Sequence, residues 1–413
     1  MNYENSQSFA DLMDHNDSLK SYRAKFHIPK NKYDEDLLYF CGNSLGLQPK
    51  SVRAFVEKEL MVWEKDGVLG QHGRWEKYHE RLAESSSRLV AAKPWEVVVM
   101  NALTVNLHFL LISFYRPKGK RNKIMIEKGA FPSDQYAVES QIKLNGYNPE
   151  DCLIELAPRL GETTLRTEDI LMTISNTGEE LATVMMGGVN YYTGQAFDMK
   201  AITEAGHKVG AIVGFDLAHA AGNLVLDLHD WDVDFASWCT YKYLCAGPGA
   251  PSGIYIHEKH HDWDGQRLVG WWGQNKQTRF EMGPDFDPIQ TAEGWQISNS
   301  PVMGMAPLLA SMEIFDEVGM FAIREKGENL TRFLEYLIEE NLPNISVITP
   351  KERGCQLSLV VPNGKIVFES LSKNGIVCDW REPDVIRIAP HPLFNTFAEV
   401  YQFIQILKKI VLM

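Results

Sequence analysis

Short apolar runs alternate with amphipathic stretches from about residue 95 to residue 257. The runs are EVVVMN, KIMIEKG, CLIELA, ATVMMGGV, AIVGFD, DFASWCT and GIYIH, and helix-like segments such as TVNLHFLLISFY and PSDQYAVESQIKLNG lie between them. Runs that are apolar throughout predict strands buried on both faces, and their alternation with helices is typical of a mostly parallel sheet covered by helices. We therefore predict an α/β fold, in which ligands bind at the carboxyl ends of the strands.

The pattern changes after about residue 305, where a long helix is predicted at REKGENLTRFLEYLIEENL. Five apolar residues share one face of this helix: Leu330, Phe333, Leu334, Leu337 and Ile338. Short strands are expected at CQLSLVV, GIVCDW and VIRIAP, and the last helix begins at a capping box of Thr396 and Glu399. We predict a large domain over residues 51–310, a smaller α+β domain over residues 311–413, and an N-terminal segment, residues 1–50, that packs on the small domain.

Bulk properties narrow the class of protein. The 413 residues carry a formal net charge of -13, and phosphate backbones would repel such a chain, so we expect no nucleic-acid partner. The longest apolar run, from Phe109 to Tyr115, is too short to cross a bilayer. The polar, acidic start lacks the features of a signal peptide, and the six cysteines form no CxxC pair. We expect a soluble cytoplasmic protein that makes no membrane contact.

Charged residues follow two strands of the predicted sheet. The run AIVGF ends in Asp216, with His219 three residues later, and DFASWCT leads into Tyr241 and Lys242 before a Gly/Pro-rich loop. The stretch between Asp216 and Lys242 fits one strand–helix–strand unit. A lysine at the end of an apolar strand has a partly desolvated amine, which suits a Schiff base with pyridoxal phosphate (PLP), and PLP also needs an acid for its pyridine nitrogen. Taken alone, Asp216 would cap a helix and Lys242 would be a solvated cation.

Two earlier loops offer further contacts. Leu103 and Thr104 lie between VVVM and an apolar helix, where a hydroxyl and backbone N–H groups suit a phosphate. FPSD follows the run KIMIEKGA, so Phe131 would stack on a pyridine ring while Pro132 and Ser133 begin the next helix. Without the lysine and the acid, Thr104 would be an ordinary helix cap and Phe131 an ordinary core residue.

Two other patterns carry less weight. HEKHH, residues 257–261, matches the zinc-protease pattern HExxH, but zinc binding needs both histidines on one helical face and His257 ends a strand-like run. We predict no metal site. Cys245 lies close to Lys242 in sequence, although a buried cysteine is usually inert.

Several longer motifs resemble those of the kynureninase family. They are CGNSLGLQP, MNALTVN, FPSD, NYYTGQ, FDLAHA, TYKYL, GWWG, TAEGWQISN and IRIAPHPLFN, and they extend from about residue 38 to the end of the chain. FDLAHA and the YK pair are shared across fold-type I PLP enzymes, whereas GNSLGLQP, GWWG and the ISN block are narrower. The resemblance implies fold-type I architecture, with PLP bound by the large domain, and a homodimer with its active site at the subunit interface.

The resemblance also implies roles for individual residues. Lys242 would be the PLP lysine, Asp216 the partner of the pyridine nitrogen, and Tyr241 a catalytic acid–base helper. The residues implied to contact the cofactor or its phosphate are Leu103, Thr104, Phe131, Pro132, Ser133, Asp134, Asp216, His219, Tyr241, Lys242, Trp271 and Asn299, the last two crossing from a partner subunit. The residues implied to contact the substrate are Arg387, Ser44, Asn299 and His72, with Arg387 binding the α-carboxylate.

Two positions depart from the family pattern. Gly187, in MMGGVNYY, stands where many members carry serine, so a hydroxyl contact is lost there. The region of His72, LGQHGRW, does not align without a gap. Within the ISN block, Ser298 and Asn299 would hydrogen-bond a hydroxyl group on the substrate ring, which favours a hydroxylated substrate.

The implied activity is hydrolytic Cβ–Cγ cleavage of L-kynurenine or 3-hydroxy-L-kynurenine. The products would be anthranilate or 3-hydroxyanthranilate and L-alanine, in tryptophan degradation and NAD biosynthesis. The alternatives are a cysteine desulfurase or aminotransferase of the same fold type, or a PLP-binding protein without turnover. A desulfurase needs a cysteine on a mobile loop, whereas Cys355 lies in a strand-like segment.

Overall fold

The computed structural model describes residues 2–412, over which it has thirteen strands and twelve α-helices. The strands are β1 (Leu38–Tyr39), β2 (Val97–Met100), β3 (Lys123–Glu127), β4 (Leu153–Leu156), β5 (Leu181–Gly187), β6 (Ile212–Asp216), β7 (Phe235–Trp238), β8 (Ser252–Ile256), β9 (Ser346–Val347), β10 (Leu357–Val360), β11 (Ile376–Val377), β12 (Asp379–Arg381) and β13 (Val385–Ile388). The helices are α1 (Gln7–Asn16), α2 (Val52–Asp66), α3 (Ala83–Val90), α4 (Leu103–Phe114), α5 (Pro132–Leu144), α6 (Pro149–Cys152), α7 (Thr167–Thr177), α8 (Met199–Lys208), α9 (Val302–Val318), α10 (Met320–Asn341), α11 (Gly364–Lys373) and α12 (Phe397–Val411).

Seven strands form the central sheet, in the order β2-β8-β7-β6-β5-β3-β4. Strand β8 is antiparallel to both of its neighbours, and the remaining pairings are parallel. Alternating residues enter two apolar clusters, since Val97 and Val99 of β2 pack in one and Val98 and Met100 in the other. Each of the seven apolar runs forms a strand, so the predicted α/β fold with a mostly parallel sheet is confirmed.

The connection from β6 to β7 differs from the prediction. Residues 217–234 form turns and contain no helix, although the sequence predicts a strand–helix–strand unit here. Residues 217–224 are all buried, so this segment lacks the solvent-facing side that an amphipathic helix would need. Asp216 therefore caps no helix, and its Oδ1 instead accepts the N–H of Ala218 at 2.7 Å. The two strands are still neighbours, with Asp216 opposite Ser237.

A second, antiparallel sheet lies in the C-terminal part of the chain, in the order β12-β13-β10-β9. Helix α10 buries all five residues of its predicted apolar face. Helix α12 begins at the predicted capping box, in which Thr396 and Glu399 bond to each other's backbone N–H groups. The apolar pattern does not predict α11, because only Val367 and Leu371 mark its buried face.

The N-terminal segment joins this second sheet region. Strand β1 pairs in parallel with β11, and Ala10 and Phe40 belong to the same apolar cluster as α10 and α12. Residue 310 lies inside α9, and most of the buried side chains of this helix belong to the cluster on one face of the central sheet. The division at residues 50 and 310 stays a prediction. Among residues 2–412, no helix combines the length and the apolar character needed to span a membrane.

Gly214 tests the packing inside the central sheet. A Cβ at this position would lie 2.1 Å from Cζ of Phe235, so Gly214→Ala should destabilise the fold by roughly 1–3 kcal/mol through overpacking. Gly283→Ala is the matched control, because a Cβ there would meet no heavy atom within 4 Å. In calorimetry the melting temperature should fall for Gly214→Ala alone. Equal melting temperatures for both variants would contradict this account of the core.

Candidate active site

A cavity of about 410 Å³ opens at the carboxyl ends of the central strands. The residues of its lining that the sequence predicts as site residues are Leu103, Thr104, Phe131, Ser133, Asp134, Asp216, His219, Tyr241 and Lys242. They come from the segments that follow β2, β3, β6 and β7. The parallel strands bring these segments together, because their carboxyl ends meet at one edge of the sheet.

Lys242 lies at the centre of this group. Its Nζ is 3.1 Å from Nε2 of His219 and 5.7 Å from the centroid of the Phe131 ring. Burial and the charge of Lys242 lower the pKa of His219 well below its ordinary value, so the imidazole is neutral. The neutral Nε2 can therefore accept a hydrogen bond from the lysine amine, while Nδ1 of His219 is buried without a partner.

Three carboxyl groups line the same cavity: those of Glu127, Asp134 and Asp216. Burial raises the pKa of Asp216, while the N–H of Ala218 and the charge of Lys242 oppose that rise. Burial, followed by the charge of Asp216, raises the pKa of Asp134 well above its ordinary value. The pKa of Asp134 is thus raised further than that of Asp216, which makes Asp216 the better candidate for the ionised group. The Oδ1 atom of Asp134 is buried and has no partner.

The GNSLG motif packs against the lysine segment. The N–H of Gly46 donates to the carbonyl of Tyr241 at 2.9 Å, and a Cβ at Gly46 would lie 2.3 Å from the carbonyl oxygen of Lys242. Glycine is therefore required at this close approach of two backbone segments. Ser44, in the same motif, is half-buried and does not line the cavity.

Helix α4 presents its N-terminus to the cavity. The N-cap is Ala102, which offers no side-chain hydrogen bond, so the first N–H groups of the helix have no capping partner. Asn101 turns the chain out of β2 with φ at +47°, a left-handed conformation that asparagine tolerates. Leu103 and Thr104 line the cavity just beyond this turn, and Thr104 is not the cap of the helix. Free N–H groups and the helix dipole together make this end suitable for an anion.

Arg387 lies in β13, behind the cavity rather than in its lining. Its Nη1 donates to the carbonyl of Tyr191 at 2.6 Å, and its Nη2 pairs with Asp379. Arg381 also pairs with Asp379, at 3.1 Å, so two guanidinium groups share one carboxylate and leave a positive charge in excess. Nε of Arg387 is buried and has no partner. Tyr191 connects this group to the cavity through an edge contact with Phe131.

Four other predicted site residues lie outside the cavity lining. Pro132 begins α5 beside the cavity. Trp271 and Asn299 are exposed on the surface of the single chain, and Trp271 donates its indole N–H to the carbonyl of Arg279. His72 is also exposed, with Nδ1 3.3 Å from Oε1 of Glu76. Within one chain, Trp271, Asn299 and His72 are not brought to the cavity.

The cavity lining also includes residues that the sequence did not predict as site residues, among them Asn101, Glu127 and Tyr191. Glu127 ends the apolar run KIMIE, just as Asp216 follows the apolar run AIVGF. An acidic residue at the end of a buried strand is the signal that would have identified Glu127. Tyr191 lies in the NYYTGQ motif and Asn101 in MNALTVN.

Comparisons with known proteins agree on one family. Residues 323–407 match the model of the kynureninase C-terminal domain. Kynureninase from Flavobacterium psychrophilum is 52% identical over 99% of this chain and 99% of its own length. Kynureninase from Myxococcus xanthus is 53% identical over 98% of this chain and 97% of its own length.

Solved structures with the same fold are more distant in sequence. A cysteine desulfurase from Thermococcus onnurineus superimposes with a TM-score of 0.76 at 18% identity, over 91% of this chain and 94% of that chain. C-DES, with glycine covalently linked to its PLP cofactor, has a TM-score of 0.75 at 17% identity, over 90% of this chain and 96% of that chain. These likenesses confirm the predicted fold-type I architecture, and the identity to full-length relatives shows that the chain belongs to the kynureninase family.

Proposed function

We propose that this chain is a PLP-dependent kynureninase. It would hydrolyse the Cβ–Cγ bond of L-kynurenine or 3-hydroxy-L-kynurenine, giving L-alanine and anthranilate or 3-hydroxyanthranilate, in tryptophan degradation and NAD biosynthesis. The observation that supports it most strongly is Lys242 at a strand end, in one cavity with buried Asp216, in a chain about half identical to kynureninases.

The residues of the cavity fit PLP. The Asp134 and His219 side chains each bring a buried, unpartnered polar atom to a cavity that they line. The uncapped N-terminus of α4, with Leu103 and Thr104, suits the phosphate. Phe131 is 40% exposed, so its ring is available for stacking, and Lys242 would hold the cofactor through its aldehyde. Pro132 and Ser133 support these contacts as the first residues of α5.

PLP, when bound, would withdraw electrons from the substrate α-carbon, while the protein's own groups hold the substrate and move protons. Asp216 would keep the pyridine nitrogen protonated, because an ionised carboxylate stabilises a neighbouring positive charge. Lys242 Nζ would hold the cofactor and would also take the α-proton of the substrate. The neutral imidazole of His219, 3.1 Å away, would accept a hydrogen bond from that amine and orient it.

Tyr241 would serve as a proton donor. Burial raises the pKa of its phenol, so the group carries a proton at neutral pH. A protonated phenol beside Lys242 can donate its proton to the oxygen of the side-chain ketone while water adds to that ketone. It can also donate to the group that leaves when the Cβ–Cγ bond breaks.

Arg387 would bind the substrate α-carboxylate. Its unpartnered Nε and the positive charge shared with Arg381 favour an anion, and a planar guanidinium binds a carboxylate through paired hydrogen bonds. Ser44 and His72 are proposed substrate contacts as well. Ser298 and Asn299 are exposed in the single chain and would bind a hydroxyl on the substrate ring, which favours the hydroxylated substrate.

We also propose a homodimer whose active site includes Trp271 and Asn299 of the partner subunit. The single chain exposes large apolar side chains in two segments. They are Leu60, Met61, Trp63, Val68 and Leu69 in one segment and Leu268, Val269, Trp271, Phe280 and Met282 in the other. Lys276 of the second segment forms an ion pair with Glu80 at 2.8 Å. Because Glu80 follows the first segment in sequence, this pair places the two segments near each other. Exposed apolar side chains that cluster in this way are typical of surfaces that contact another protein.

The rival activities fit less well. Cys355 is buried, and burial raises the pKa of its thiol to about 12, whereas a desulfurase needs an accessible thiolate. The likeness to a desulfurase, at 18% identity, extends to the fold alone. The six free cysteines suit a reducing compartment, which supports a cytoplasmic location.

Lys242→Ala tests the cofactor assignment. The purified parent should be yellow and cleave kynurenine, and the variant should lose both the visible band and turnover, because capture of the cofactor and proton transfer depend on the same amine. Lys143→Ala, at a side chain 63% exposed, is the control and should behave as the parent. Normal turnover by Lys242→Ala in absorbance and product assays would end the proposal.

Arg387→Ala tests the carboxylate assignment. We expect a strong rise in KM and a loss of about 3–5 kcal/mol in kcat/KM, because two charged hydrogen bonds disappear. Arg387→Lys should recover only part of that loss, since an ammonium group lacks the planar fork. The cofactor spectrum should stay intact in both variants. A kcat/KM within a few-fold of the parent, or loss of the cofactor, would overturn the assignment.

Asp216→Asn should fail in a different way from Arg387→Ala. The amide can still bond to the ring but cannot balance its positive charge, so kcat should fall sharply while cofactor binding weakens. Steady-state kinetics and a cofactor titration separate the two effects. An unchanged kcat would contradict the role of Asp216.

Mixed variants test the shared site. Lys242→Ala and Asn299→Ala should each be inactive or impaired, and mixing them should restore activity through hybrid dimers with one intact site. Sedimentation of the parent should give a dimer. A fully active monomer, or no recovery in mixtures that contain hybrids, would contradict the shared site.

A further inference from the structure

Glu127 is a buried acid that has no role in the proposed reaction. It ends β3, is 4% exposed, and lines the cavity together with Asp134, Asp216 and Lys242. An ionisable group beside the cofactor-binding acids affects the charge of the whole cavity, so its position has chemical consequences.

The backbone of Gly187 holds the Glu127 carboxyl in place. Oε2 of Glu127 accepts the N–H of Gly187 at 3.1 Å. A Cβ at Gly187 would lie 2.9 Å from Oε1 of Glu127, so the carboxyl occupies the space that a side chain at residue 187 would need. Gly187 is opposite Asp216 in the register of β5 and β6. The contact with Gly187 therefore brings Glu127 close to Asp216, the proposed partner of the pyridine nitrogen.

The groups around Glu127 give the cavity an excess of acids. Asp216 comes from β6, Asp134 from α5 and Lys242 from the segment after β7, while exposed Lys128 follows Glu127 in the chain. Three carboxyl groups therefore share the cavity with one amine, that of Lys242. The three cannot all be ionised without a further positive charge. A protonated ring nitrogen would supply that charge.

We propose that Glu127 is a positioning residue for the cofactor ring, whose ionised carboxyl adds its negative charge to that of Asp216, stabilises the protonated ring nitrogen and so tightens cofactor binding. This inference rests on the proposed function, since it assumes that the cavity takes PLP. It gives Glu127 a role that depends on pH, because a protonated carboxyl cannot contribute the charge.

The protonation of Glu127 changes near neutral pH. Burial and, to a smaller extent, the charge of Asp216 raise the pKa of Glu127 to about 7. The hydrogen bond from Gly187 acts in the opposite direction and lowers it. The carboxyl is thus mostly ionised above neutrality and mostly protonated in mild acid. Glu127 and Tyr191 also line a second cavity of about 240 Å³ with Asn190 and Thr193, which gives the carboxyl a polar side for proton exchange.

The experiment compares cofactor binding by the parent and Glu127→Gln, using PLP and the visible band of the loaded protein. At about pH 8 the variant should bind PLP several-fold more weakly, and at about pH 5.5 the two dissociation constants should converge, since the parent's carboxyl is then protonated. Glu155→Gln is the control, because Glu155 is exposed on β4 beside β3. It should match the parent at both pH values.

A second readout uses the cofactor-free chain. Because burial raises the pKa of Glu127, its ionisation costs stability in the folded state, and this cost grows as pH rises from the ordinary glutamate value towards about 7. The melting temperature of Glu127→Gln minus that of the parent should therefore increase between about pH 5 and about pH 8. A difference that does not change with pH would overturn the buried titration.

Gly187→Ala covers the case in which Glu127→Gln does not fold. Its Cβ should displace the Glu127 carboxyl from the Gly187 amide and reduce PLP affinity at high pH in the same way. If the parent itself takes up no PLP, the proposed function fails. If the parent binds PLP but the affinity ratio to Glu127→Gln is the same at both pH values, only the role of Glu127 is overturned.

Discussion

Burial of carboxyl groups opposite a single lysine is the constraint on which the rest of the structure depends. Asp216 and Glu127 close strands that are buried up to their last residue, and Asp134 comes from the helix that follows β3. Charges at this depth are costly unless they are paired or hydrogen-bonded. In this site the amine of Lys242 and the backbone N–H groups of Ala218 and Gly187 offset that cost, and burial raises the pKa of Asp134, which favours its neutral form.

The surrounding fold keeps these groups in position. The GNSLG motif approaches the Lys242 carbonyl so closely that Gly46 admits no side chain, and this motif lies between β1 and α2. The second sheet contributes Arg387, whose contact with the Tyr191 carbonyl connects it to the cavity. The carboxylate-binding role that we propose for Arg387 therefore depends on the packing of the two sheets against each other.

The sequence alone predicted most of this arrangement, for a physical reason. Strands buried on both faces are apolar at every position, so a polar residue at the end of such a run, such as Asp216, marks the edge of the sheet. The positions of Lys242 and Phe131 were predicted for the same reason, whereas Asp134 was implied only by the family resemblance. The segment after Asp216 was less predictable, because a buried run of small residues has neither helical nor strand periodicity. Pairings such as Arg387 with Asp379 depend on tertiary contacts that no local pattern encodes.

Trp271, Asn299 and His72 were also beyond local reasoning. All three are exposed in the single chain, so a role for Trp271 and Asn299 in the site depends on the proposed second copy, which no local pattern encodes. The departures of this chain from the family pattern also become clearer in three dimensions. Gly187 lacks a hydroxyl, and the Glu127 carboxyl occupies the adjacent space.

The reaction proposed for the cavity around Lys242 is hydrolytic carbon–carbon cleavage of a kynurenine. The most direct measurement is turnover of L-kynurenine in ¹⁸O-labelled water by the PLP-loaded protein, with both products analysed by mass spectrometry. The account predicts anthranilate and alanine in equal amounts, with one ¹⁸O atom incorporated into the anthranilate carboxylate and none transferred to alanine by the cleavage. Formation of a transamination product in place of alanine, or anthranilate without ¹⁸O, would contradict it.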